Sequence, residues 1–219
     1  MKILVKIALM LTFTVILLGA YTRLTDAGLG CPDWPGCYGH LLVPMKGDAV
    51  SAANLAFPER PVESFKAWNE MIHRYFAGSL GLLILAIFIA SFKKTYSLKV
   101  RIVSSLLLGL VSFQAALGMW TVTMNLMPVV VMAHLLGGFS VFTGLFILHL
   151  LLRKQQQVTK VSRHPLTILA CTALVVLILQ IALGGWTSTN YASLSLIHIS
   201  EPTRPEPISY AVFCLKKKK

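Results

Sequence analysis

Five apolar runs, at about residues 3–21, 75–92, 102–122, 129–152 and 166–186, constrain this chain more than any other feature. A helix crosses the bilayer core in ~20 residues at ~1.5 Å each, and every run is about that long. Composition agrees, since 56% of the 219 residues are hydrophobic and only 13% charged, against about a quarter charged in soluble domains. The expected fold class is therefore an all-α integral membrane protein. A formal charge of +12 would suggest a nucleic-acid partner in a soluble chain. Here the basic residues cluster between apolar runs and read as topology determinants, so no nucleic acid is expected.

Lys2 and Lys6 precede the first run; Lys93, Lys94, Lys99 and Arg101 follow the second; Arg153, Lys154, Lys160 and Arg163 follow the fourth. The positive-inside rule makes those sites, and the N-terminus, cytoplasmic. The segment 22–74 and the turn near Asn125 are then outside, and the first run reads as a retained anchor.

Ionisable groups in membrane helices are costly and therefore functional candidates. Glu70, His73 and Arg74 lie in EMIHRYFAG, expected at the start of the second span, and His134 lies in MAHLLGG near the start of the fourth. Counted from Asn69 and Pro128, the two histidines sit ~6 and ~9 Å along their helices. Two imidazoles at one level on neighbouring helices can clamp a haem iron; each alone is also an ordinary interfacial histidine. Gly78, Gly81, Gly137 and Gly138 would admit a flat macrocycle or a close helix. His149, fifteen residues beyond His134, is too far along the helix to share that iron, and His40 and His164 read as loop residues.

Glu70, His73 and Arg74 share one helical face by spacing. Glu70 can orient the imidazole or act as acid or base on a group at the cofactor edge. The alternative is a first-turn acid favoured by the helix dipole and paired with Arg74. Cys31 and Cys37 bracket CPDWPGC; a disulfide, structural or redox-active, is the favoured reading over two free thiols. Cys171 reads as a small apolar residue in mid-span. QAALGMWTVT at 114–123 matches QIALGGWTST at 180–189, and LGAYTRLT closes the first span, which points to duplicated architecture.

Together, YTRLTDAGLGCPDWPGCYGHLLVP, NEMIHRYFAG, QAALGMWTV, MAHLLGG and LGGWTSTNYA resemble the haem A synthase family over residues 1 to about 193. The resemblance implies a bacterial-type, multi-pass inner-membrane oxidoreductase that converts the C8 methyl of haem O to the formyl group of haem A for terminal oxidases. His73 and His134 would be axial ligands of the N-terminal haem, Glu70 the essential acid, Arg74 a cofactor-binding residue, and Cys31 and Cys37 an outer disulfide. Residues 1–160 would form a four-helix haem-binding half, and 161–193 would begin a second half whose remainder, with its haem b, is missing, so that this chain is expected to be inactive. Expected partners are haem O and the enzyme producing it, membrane lipid, an unidentified electron acceptor and a second copy of the chain in a homo-oligomer. Doubly ligated iron has no open position for O2, which favours water as the oxygen source over O2 activation. The alternative function is a bis-histidine cytochrome module that only relays electrons.

From Leu194 the sequence runs LSLIHISEPTR, PEP and ISYAVFCLKKKK. It reads as translated sequencing adapter and primer, so 194–219 is expected to be a non-native tail, with no function for His198 or Cys214.

Overall fold

The computed structural model describes residues 1–153 and 165–190. His164, His198, Cys214 and the whole expected tail lie outside them. The described residues form six helices and no strand: α1 (Lys2–Leu24), α2 (Gly47–Ala56), α3 (Ser64–Ser91), α4 (Leu98–Thr123), α5 (Pro128–Leu152) and α6 (Pro165–Thr189). All but α2 are long and apolar enough to cross a membrane. In hydrocarbon every backbone N–H and C=O must find its partner within the chain, and a continuous helix meets that demand locally. The all-α membrane expectation therefore holds, with one short helix added outside the spans.

The helices α1 and α4 each pack against both α3 and α5, closing a four-helix ring in which α3 stands diagonally opposite α5. The helix α6 contacts α5 from outside the ring. Small residues let the backbones approach, as membrane helix pairs require. On the α4–α5 seam, Leu107 fills the notch at Gly144, where an added Cβ would lie 2.8 Å from the leucine. Cys171 is exposed on the surface of α6.

Apolar packing falls into two bodies. The larger joins Val5 and Ala8, Leu80, Ile84 and Ile87, Val100 and Leu107, and Val141, Leu145, Leu148 and Leu152, toward the basic end of the ring. The smaller joins Cys31, Cys37, Tyr38, Val43, Ala53, Ala67 and Met71 in a lobe between α1 and α3. The Tyr38 hydroxyl lies 3.3, 3.2 and 3.2 Å from the carbonyls of Gly30, Arg60 and Pro61. Burial, with Glu63 adding to it, pushes its pKa up, so it stays a neutral donor.

The lobe shortens the expected outer loop at both ends. The helix α1 continues to Leu24, and α3 begins at Ser64, eleven residues before the apolar run at Tyr75. The first turns of α3 are not apolar enough to be read as span, yet Ala67 and Met71 are buried beneath the lobe, and this packing holds them helical.

Candidate functional site

The histidines belong to neither apolar body. His73 precedes Leu80 on α3 by seven residues and His134 precedes Val141 on α5 by seven, so both lie two turns beyond the last fully buried residue of the larger body. That shared layer replaces the expected count from helix starts, because α3 starts well before Asn69. A second correction concerns their helices, which are diagonal rather than adjacent. A ring of four puts alternate members across from one another, and two imidazoles on such members approach across the interior. His73 lies within range of the charge of His134.

Each imidazole is seated against a glycine of the next helix. A Cβ at Gly19 of α1 would lie 3.0 Å from His73 Cε1, and one at Gly118 of α4 would lie 3.5 Å from His134 Cε1. Four residues before each glycine, the backbone of Val15 and of Gln114 lies beside the respective ring as an acceptor. The two seats thus repeat one local design. In both rings Nδ1 is buried without a hydrogen-bond partner. At Gly78, Gly81 and Gly138 an added Cβ would meet nothing within 4 Å. Gly137 is different, because the Gln114 side chain occupies its notch and an added Cβ would overlap Nε2.

Glu70 is buried, with 5% of its surface exposed, and both its oxygens are engaged. Oε1 accepts from Arg74 Nη2 at 2.5 Å, and Oε2 accepts from the Cys31 backbone N–H at 2.9 Å. Arg74 Nη1 donates to the carbonyls of Asp33, Pro35 and Gly36 at 2.9, 3.3 and 2.5 Å. Asp33 in turn accepts from the N–H groups of Tyr38 and Gly39, both at 2.7 Å. Cys31 and Cys37 are joined as a disulfide with Cα atoms 4.9 Å apart. Gly30 brings this loop onto the α3 backbone, where an added Cβ would lie 2.5 Å from the Lys66 carbonyl carbon.

The Glu70–Arg74 pair is therefore present, but the first-turn reading of Glu70 is not, since the first turn of α3 carries no acid. The pair clamps the disulfide loop one turn from His73. His40 has an exposed side chain, and its backbone bridges to Cys37. His149, near the basic end of α5, has its own buried and unpartnered Nδ1. Sequence reasoning missed Gly19 and Gly118 as seats. The signal was there in the shared Gly–x–aromatic–Thr pattern, which drew attention to the ring instead of the glycine.

No group of three or more His, Cys, Asp or Glu among the described residues forms a metal-holding cluster. A two-imidazole set suits an iron whose equatorial ligands come from a porphyrin. Two imidazoles on diagonal helices, each in contact with a glycine of a flanking helix, fit such a flat group. Fold and site define a multi-pass helical membrane protein with an imidazole pair inside a four-helix ring.

The chain belongs to the COX15-CtaA family, described as cytochrome oxidase assembly protein, whose sequence profile matches residues 2–206. It is 55% identical over 193 residues to the Heme A synthase of Shewanella oneidensis, covering 88% of this chain and 58% of that protein. It is 32% identical over 130 residues to the Heme A synthase of a Chelativorans species, covering 52% of this chain and 35% of that one. To Heme A synthase COX15 of Arabidopsis thaliana it is 27% identical over 159 residues, covering 61% of this chain and 34% of that one. No solved structure matches. The chain thus spans little more than half the length of the Shewanella relative. Family and apolar helices together make it a multi-pass inner-membrane protein.

Proposed function

We propose that the ring α1, α3, α4 and α5 takes haem O as substrate between His73 and His134 and serves the oxidation of its C8 methyl to the formyl group of haem A. The carrying observation is the pair of interior imidazoles on diagonal helices, each seated on a glycine at one layer. The name of the Shewanella relative, Heme A synthase, supports the same reading. The proposed orientation keeps the basic end cytoplasmic and the disulfide lobe outside.

The conversion adds one water oxygen and removes four electrons and four protons, and the electrons need an external acceptor. The chain's own part is positioning. His73 and His134 would hold the substrate by its iron, and glycine seats fix both rings. The lobe covers the histidine layer from outside and limits access of bulk water. Glu70 is the proposed proton-handling group, its carboxylate fixed by Arg74 and the Cys31 N–H. Arg74 would act on the substrate through its charge, since its hydrogen bonds go to Glu70 and the loop. We further propose that 1–160 and 161–193 are one complete half and the beginning of a second, haem b-binding half, and that turnover needs that second half.

The test is to express this chain and the full-length Shewanella relative beside a haem O source, extract pigments and assay formyl haem. The expected result is formyl haem from the relative, none from its variant in which the acid aligned with Glu70 is changed to glutamine, and low-spin haem without product from this chain. No haem in this chain, or haem unaffected by His73→Ala and His134→Ala, overturns the reading.

A further inference from the structure

The side chain of Gln114 is a feature of the ring that the proposed positioning does not use. Its residue is 8% exposed, and its Nε2 is buried with no hydrogen-bond partner. Leaving a buried amide donor unpaired is unfavourable. The other buried polar groups are accounted for or distant. Thr12, Thr22 and Ser91 bond carbonyls of their own helices, Glu70 holds the loop, and Ser104, Arg101 and His149 lie ten or more residues along their helices toward the basic end. Asn69 Nδ2, also unpartnered, is on α3 toward the lobe, the opposite side of the histidine layer.

The placement of Gln114 is specific. Its amide sits in the Gly137 notch, three residues along α5 from His134, and Gln114 precedes the Gly118 seat by four residues on α4. It therefore lies ~6 Å from the imidazole layer, on the side facing the larger apolar body. With the C8 methyl turned toward Glu70, as the proposed function requires, the adjoining propionate edge would face the lobe and the opposite edge would face Gln114. In haem O that opposite edge bears the hydroxyethylfarnesyl group; in haem B it bears a vinyl group.

We infer that Gln114 reads the hydroxyl of the hydroxyethylfarnesyl substituent, its Nε2 donating to that oxygen, and so selects haem O over haem B. This rests on the proposed function. A buried donor built for a hydroxyl discriminates against the analogue lacking it because it is then left unpaired. The rival is a seam residue: Leu107 fills the Gly144 notch seven residues before Gln114 fills that at Gly137, and an apolar knob there would serve packing equally.

The test titrates the purified full chain in detergent with haem O and with haem B, following the Soret band, for wild type, Gln114→Leu, Gln114→Asn and Gln180→Leu. Leucine keeps the knob and asparagine keeps an amide too short to reach. The expected result is that Gln114→Leu and Gln114→Asn weaken haem O by about tenfold while haem B binding is unchanged or tighter. Gln180→Leu, at the matching position of α6, should leave the ratio as in wild type. An unaltered haem O to haem B ratio in both Gln114 variants overturns the inference while leaving the function intact. Failure of wild type to bind either haem overturns both.

Discussion

The two histidine seats do the same job with unequal support. At the α4–α5 seat, four residues, Met124 to Met127, connect the helices, and Asn125 and Leu126 take positive φ to turn the chain. At the α1–α3 seat the connection is a lobe with its own buried cluster, a disulfide and a helix. The lobe also reaches the smaller turn: Arg60 bonds Asn125, and Leu126 packs on Gly28. The difference teaches that two similarly built glycine seats hold the imidazoles, while the buried acid, the guanidinium and the disulfide are confined to one connection. Only His73 has an acid, a guanidinium and a disulfide within a turn of it.

The comparison breaks first at the histidines. His73→Ala and His134→Ala should each abolish the low-spin haem spectrum in visible and EPR measurements. Retention in either variant would show that the seats are not equivalent. The next largest effect is Glu70→Ala, which leaves Arg74 unpaired in a site where the side chains are 6% and 12% exposed. It should cost about 3–5 kcal/mol in thermal unfolding, and amide exchange should rise across residues 30–37 while the 124–127 turn is unmoved. Reducing Cys31–Cys37, a short closed loop of sequence separation 6, should cost ~2 kcal/mol, again confined to the lobe by hydrogen exchange. The smallest effect sharpens the comparison by sign. Gly118→Ala has room at 3.5 Å and should stabilise by ~0.5–1 kcal/mol through helix propensity. In Gly19→Ala the new methyl, 3.0 Å from His73, should cancel that gain and shift the haem spectrum.

Span number, helical class and the histidine pair were legible because hydrophobic runs and buried ionisable residues leave strong marks in a membrane sequence. The start of α3 was not, because residues 64–74 are polar enough to resemble loop and are kept helical by contacts with a lobe 30 residues upstream. Nor was the relation of α3 to α5: hydropathy gives helices without saying which are diagonal. The glycines show the same limit. Gly78, Gly81 and Gly138 stand open, whereas Gly19 and Gly118 touch the imidazoles, and the Gly–x–aromatic–Thr pattern that separates the two groups does not say what the glycine meets. Glu70 was legible as an unusual acid, but its tie to the Cys31 N–H depends on a contact across 39 residues.

The division of the apolar packing into two bodies has a thermodynamic consequence. A ligand gripped by His73 and His134 would bridge them, and its binding free energy would add to the cohesion of the whole. Loading and assembly then become one linked equilibrium, in which the pigment acts as a keystone and the loaded protein melts as a single unit.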